Sequence, residues 1–221
     1  MNAPSTSVSA GAARLRVLSD SRWPEKTGIG NVLVAMKERA PAHISVVDLA
    51  VDGRIGSPLS PFVLGKALSR EAANGSVFWS AGFVPPAGAR IPTVVTVHDL
   101  THLHFYSRLH AAYYGMVFKP LYRRCSEIVC VSDYTRREFL AWSGMPESRV
   151  SVVYNGVTPA FARNTEVHDP GFRYILYPGN HRSYKNLERL IAAFAASSLP
   201  RAGVRLAMTG NCGGWLINSS S

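Results

Sequence analysis

Four short stretches of this chain carry residue types that could do chemistry. Thr27-Gly-Ile-Gly30 sets two glycines one residue apart where a helix-spaced segment begins. Small residues there let the backbone approach an anionic oxygen, and the helix end adds bare N–H donors. Val97-His-Asp-Leu-Thr-His-Leu-His104 closes an apolar run with His98 and Asp99, a pair suited to contacting a polar substrate. Pro178-Gly-Asn-His-Arg-Ser-Tyr-Lys-Asn186 puts Arg182 and Lys185 before a helix. Two cations and a helix N-terminus make a cradle for a diphosphate. In Val131-Ser-Asp-Tyr-Thr-Arg-Arg-Glu-Phe139, Ser132 or Asp133 caps a helix that displays Arg136 and Arg137.

Other chemistries lack their residues. His98 and His102 are four apart, as in zinc helices, but they run from a strand end into a loop. No cysteine or regular carboxylate joins them, so no metal is expected, and His102 and His104 read as loop packing. The glycine pair is not GxGxxG, because residue 33 is Leu, and Asp52 is only a loose counterpart of a ribose-binding acid. There is no GxSxG and no Ser-His-Asp set. No RNA- or DNA-binding signature accompanies the basic charge, so nucleic acid is not an expected partner.

These stretches need a scaffold, and the hydrophobic pattern supplies one. Apolar runs at 14–19, 43–51, 76–82, 91–100, 127–132 and 149–156 read as strands, with helical patterns between them. The fold class is therefore α/β, a doubly wound Rossmann-like domain. In such a sheet a strand order of 3-2-1-4-5-6 is expected, with ligands bound where strands 1 and 4 part. That order would bring Gly28 and Gly30 to one crevice with His98 and Asp99. Residues 107–125 read as one long amphipathic helix, kinked before Pro120. Residues 158–171 read as a linker. A single strand-helix-strand unit follows in 172–211, with Val204, Leu206 and Met208 expected to be partly bared.

Composition bounds the setting. The chain has 221 residues, 47% hydrophobic and 17% charged, which makes it globular. A formal net charge of +10 suits an anionic partner such as a phosphate ester or an acidic membrane surface. Three cysteines, Cys125, Cys130 and Cys212, show no paired spacing, which points to a reducing compartment. Residues 1–13 have no basic start and no apolar stretch, and read as a flexible leader. No run reaches the roughly 18 apolar residues of a membrane span. A cytoplasmic location follows, with contact at the inner membrane face open to it.

Taken in order, TGIG, VFWSAGFVPP, PTVVTVHDLTHLHF, RRCSEIVCVSDYTRREF, RVSVVYNGV and YILYPGNHRSYKNLERLIAAF resemble the family 4 retaining glycosyltransferases of the two-Rossmann-domain GT-B group. The resemblance spans residues 14–211 and is closest to mannosyltransferase-like bacterial members that build surface polysaccharide. It implies an acceptor-side domain over 14–157 and the first βαβ of a donor-side domain over 172–211. It implies transfer of a hexosyl group, such as mannosyl, from a nucleotide sugar to a glycan or lipid-linked acceptor, without a metal or cofactor. Carried over by residue, His98 would contact the donor sugar near the reacting carbon. Gly28, Gly30, Arg182 and Lys185 would serve the donor diphosphate. Asp99, Ser132, Asn155 and Gly156 would line the cleft or its junction. Lipid-linked acceptors would bring the basic, aromatic segment 107–125 near the inner membrane face.

The chain also departs from that pattern. Asn180 stands where the family carries arginine, and Thr158 where it carries an acid. After Asn211 the family continues through a glutamate pair that holds the donor, whereas residues 212–221 resemble nothing in it and read as an aberrant tail. The expectation is a truncated chain. Its alternative function is a catalytically inactive fragment that binds acceptor or partner only.

Overall fold

The computed structural model describes residues 14–25, 27–157 and 159–209. The expectations for 1–13, Thr158, Cys212 and the tail 212–221 lie outside the described residues. The chain divides after Gly156 into two units.

The first unit is built on a six-stranded parallel sheet. Its strands are β1 (Leu15–Asp20), β2 (Ile44–Leu49), β3 (Val77–Ser80), β4 (Thr93–Val97), β5 (Glu127–Cys130) and β6 (Val150–Val152). Helices alternate with them: α1 (Gly28–Glu38), α2 (Ser60–Glu71), α3 (Thr101–His104), α4 (Arg108–Tyr113), α5 (Lys119–Tyr122) and α6 (Asp133–Ser143). Parallel strands must be covered on both faces, which is why β4 is so apolar: Val95 and Val97 have no exposed surface. Two cores result. Leu18, Leu49 and Phe78 pack with Leu64 and Leu68 of α2. Val95, Val97, Ile128 and Cys130 pack with Tyr114, Phe118, Tyr122 and Phe139.

The doubly wound class is observed, but its order is β2-β1-β3-β4-β5-β6, not 3-2-1-4-5-6. After β2 the chain crosses back over β1 instead of continuing outward. Register settles this: Val17 faces Val46 on one side and Val77 on the other. The connections diverge between β1 and β3, so the crevice of the switch point opens there. It does not lie between β1 and β4.

The long helix is also not a simple kink. Between α4 and α5 the backbone forms a π turn, Tyr114–Phe118. Pro120 has no N–H, and its ring crowds the carbonyl four residues earlier. A wider turn at Met116 relieves that crowding within a continuous rod.

The second unit pairs β7 (Tyr174–Tyr177) with β8 (Arg205–Met208) in parallel, joined through α8 (Leu187–Ala196). The segment read as linker contains a short helix, α7 (Pro159–Arg163), begun by a proline suited to a first helical turn. Val204 is buried, against expectation, because its N–H bonds Leu199 O at 3.0 Å and tucks it under the turn. Leu206 and Met208 are partly exposed, as expected, and Ile175 and Leu176 are barer still, 40% and 51% exposed.

With fewer buried contacts, β7 and β8 should open first. Amide exchange followed by mass spectrometry should show both strands exchanging at least about tenfold faster than β4 and β5. Equal protection would contradict this reading of the second unit.

Candidate active site

At the carboxyl end of β1, Asp20 is completely buried. A buried carboxylate needs a cation with matching geometry. Arg22 supplies it, with Nε to Oδ1 at 2.8 Å and Nη2 to Oδ2 at 2.7 Å. The same Nη2 donates to Ser60 Oγ at 2.9 Å, and Nη1 reaches Asp52 O at 3.4 Å. The pair thus ties the loop after β1 to the start of α2. Asp52, the loose ribose-acid candidate, takes part only through its backbone.

That loop leads into the glycine pair. Thr27 caps α1, its Oγ1 accepting from Gly30 N at 3.1 Å. Gly30 is required by packing: a Cβ there would lie 2.0 Å from Pro24 O. Its N–H is spent on the cap, so it is not placed as a donor to an anion. Gly28 is different. It is exposed at the first helical position, with open space where a side chain would project.

Trp23 from the same loop lies over Gly82, just past β3. Its ring would stand 2.4 Å from any Cβ at that position. The indole therefore packs against the chain just past β3, edge-on to Phe83 at 5.6 Å. Its Nε1 is buried without a hydrogen-bond partner among the described residues.

His98 follows β4 and is half-buried. Its Nε2 lies 2.8 Å from Ala81 O, the residue before Gly82. A carbonyl can only accept, so Nε2 carries the proton and Nδ1 of the neutral ring is the acceptor. The backbone of His98 is pinned from the other side, with Thr135 Oγ1 donating to His98 O at 3.3 Å. Ser132 caps α6: its Oγ accepts from Thr135 N at 3.1 Å and sits 2.9 Å from Thr135 Oγ1. Ser132 thus supports His98 through Thr135. Asp99 is exposed, and its Oδ1 accepts from Thr101 N at 3.0 Å, which opens α3.

His102 and His104 part ways. His104 is exposed and pairs with Glu138 at 3.2 Å. His102 is 6% exposed, stacked on Tyr114 at 3.9 Å and on Phe83 at 5.6 Å. Burial lowers its pKa from 6.5 to about 4, more than nearby Asp99 raises it. It is a neutral core ring at neutral pH. Among the described residues, no three His, Cys, Asp or Glu side chains converge as metal ligands. Cys125 and Cys130 are buried thiols pushed up to about 12 by desolvation, and neither is poised as a nucleophile.

Asn155 and Gly156 are exposed and close the first unit. The Tyr154 hydroxyl just before them donates to the Asp133 carboxylate at the head of α6. In the second unit, a 3₁₀ turn, Ser183–Lys185, precedes α8. Asn186 adopts a left-handed conformation, φ 53°, and its side chain makes no cap bond. Lys185 Nζ lies 5.3 Å from the Tyr184 ring centre, and Arg182 begins the same turn. Gly179 N is already bonded to Thr209 Oγ1 at 2.9 Å.

Two features escaped the sequence reading: the Asp20–Arg22 pair and the Trp23–Phe83–His102–Tyr114 cluster. A carboxylate ending an apolar strand, with arginine two residues on, was the available signal for the first. The second depends on a crossover order that local pattern does not encode.

With this geometry described, comparison with known families adds one partial match. Residues 58–161, just under half of the chain, match the model of Glycosyltransferase Family 4. The match takes in α2, β3 to β6 and His98, and it supports a glycosyltransferase. No curated protein matches the chain.

Two outcomes follow. Arg22→Ala leaves Asp20 buried without its cation and should destabilise the fold by about 3–5 kcal/mol in urea titration, whereas a paired Asp20→Asn, Arg22→Met change should cost less. Because the folded pKa of His102 lies below 6.5, the unfolded chain binds more protons between pH 6.5 and 4. Stability tied to His102 is therefore full above that window and lost as pH falls through it. His102→Phe keeps the stacking and should flatten that acid limb in chemical melts across the window.

Proposed function

We propose that this chain acts in glycosyl transfer, moving a hexosyl group, such as mannosyl, from a nucleotide sugar to a glycan or lipid-linked acceptor in surface polysaccharide synthesis. The observation that carries the reading is the Glycosyltransferase Family 4 match across the segment that holds His98. With Nε2 tied to Ala81 O, Nδ1 is the ring atom left to meet a sugar hydroxyl. Gly28 leaves room for a phosphate oxygen or acceptor at the head of α1. Asp99, Ser132, Asn155 and Gly156 shape the cleft, Ser132 by holding Thr135 against His98.

In the second unit, Arg182 and Lys185 belong to the turn that leads into α8, two cations that suit a diphosphate. As the bond from the anomeric carbon to the phosphate oxygen breaks, charge grows on the leaving nucleoside diphosphate. Fixed cations stabilise that charge more in the transition state than in the bound substrate. The acceptor oxygen bonds to the same face of the anomeric carbon, and its proton passes to the leaving phosphate, so configuration is retained. Such a reaction calls for no metal and no cofactor. The acceptor end of the reaction belongs at the cytoplasmic face of the inner membrane.

The test is release of nucleoside diphosphate from a panel of hexose donors, with and without glycan acceptors. His98→Ala should lower kcat/KM by about a hundredfold or more, and Lys185→Ala should lower kcat as well as weaken donor binding. Release that ignores both substitutions overturns the reading. Calorimetric binding of a glycan with no release from any donor would favour the alternative, an acceptor-binding fragment.

A further inference from the structure

The first turn of α6 is bonded on two sides. On the β6 side, Arg136 Nε donates to Val150 O, at the start of β6, at 2.8 Å. The Tyr154 hydroxyl, two residues past the end of β6, donates to the Asp133 carboxylate. Val153 N donates to Cys130 O at 2.9 Å, so the chain stays zipped to β5 up to the residue before Tyr154. On the β4 side, Thr135, only 5% exposed, donates its Oγ1 to His98 O at 3.3 Å. Residues 133, 135 and 136 thus join β6 and its exit to the strand end that carries the histidine.

The two bonds on the β6 side hold different things. Arg136 meets a carbonyl within β6 and, at 3.1 Å, the Glu147 carboxylate ahead of it. Tyr154 instead belongs to the exit segment: it is 65% exposed and stands two residues before Gly156, where the first unit ends. Its bond to Asp133 holds the phenol pKa above the ordinary value, so the hydroxyl remains a donor at neutral pH. Asp133 lies next to Ser132, whose Oγ accepts from Thr135 N at 3.1 Å. A shift at Asp133 therefore moves the cap and Thr135 together, because a capped helical turn moves as a unit.

We infer that Tyr154 is a positioning residue for His98. Through Asp133, the first turn of α6 and Thr135, it makes the setting of the imidazole depend on where the chain leaves the first unit. A role confined to ending β6 would show in stability and leave the ring untouched. The consequence for turnover rests on the proposed function, but the coupling itself does not.

The experiment labels histidine with 15N in the whole chain and reads the His98 ring by NMR. The bond to Ala81 O keeps the ring proton on Nε2. Tyr154→Phe deletes the hydroxyl and keeps the ring, and should raise the minor Nδ1–H tautomer of His98 by about threefold. His181, in the second unit, should keep its shifts. Asp133→Asn retains an acceptor for the phenol and should act less than Asp133→Ala. Thr135→Val cuts the last link, so adding Tyr154→Phe to it should change the ring no further, whereas Thr135→Ser should leave the Tyr154 effect in place. In donor assays Tyr154→Phe should lower kcat with KM unchanged. An unmoved His98 ring in Tyr154→Phe overturns the inference, as does an effect of equal size with and without the Thr135 hydroxyl. Should Thr135→Val not fold, the Asp133 contrast decides, and equal effects of Asn and Ala overturn it. A ring that responds while no donor is turned over leaves the inference standing and overturns the proposed function instead.

Discussion

Much of the candidate site depends on a buried charge. Asp20 ends β1 with no exposed surface, in a sheet that tolerates no unpaired ion. The guanidinium of Arg22 answers it and, having donors to spare, also holds Ser60 and the backbone of Asp52. A loop that would otherwise wander is thereby fixed at both ends. Trp23 can then lie on Gly82, Pro24 O can sit where only a glycine at position 30 allows it, and Thr27 can cap α1. The switch-point crevice takes its form from that sequence of contacts. Removing the charge pair would act on Gly28 and on the surroundings of His98 without touching either.

His98 is held by a different logic. Its ring bonds the backbone of β3's extension, and its carbonyl is bonded from α6. Strand end and helix start are rigid elements, so the imidazole is oriented by main chain on one side and a capped helix on the other. This is the second task of Ser132. The hydroxyl that satisfies an orphan N–H of α6 also steadies Thr135, and through it the strand end that carries the histidine.

The elements were legible where local pattern decides them. β4 declares itself as an unbroken apolar run, α2 by Pro61 at its head, and α6 by Ser132 before Asp133. His98 could be singled out because it closes a buried strand. Strand order was not legible. Whether β3 pairs with β1 or lies outside β2 depends on which long-range crossover buries more, and Val77-Phe-Trp-Ser80 would fit either edge. With the order went the location of the crevice, and so the meaning of Trp23 and Gly82. Gly30 illustrates the other limit. Two spaced glycines look alike in sequence, yet one meets a carbonyl at 2.0 Å and the other meets nothing. Only the path of Pro24 separates them.

The rod from α4 to α5 shows how one segment can serve the core and the surface together. Tyr114, Phe118 and Tyr122 all point into the core at steps of four residues. Steps of four drift around a regular α-helix, so such a row would rotate out of the core. The π turn at Tyr114–Phe118 takes up that drift and keeps the aromatic row facing Val97 and Phe139. The turn has a consequence on the opposite side. By holding the inner row in register, it also holds Leu109 and Met116 outward on either side of Tyr113. Pro120 therefore does more than interrupt a ladder of hydrogen bonds. The wide turn it favours lets one short helix pack three aromatics inward while keeping an unbroken apolar edge outside.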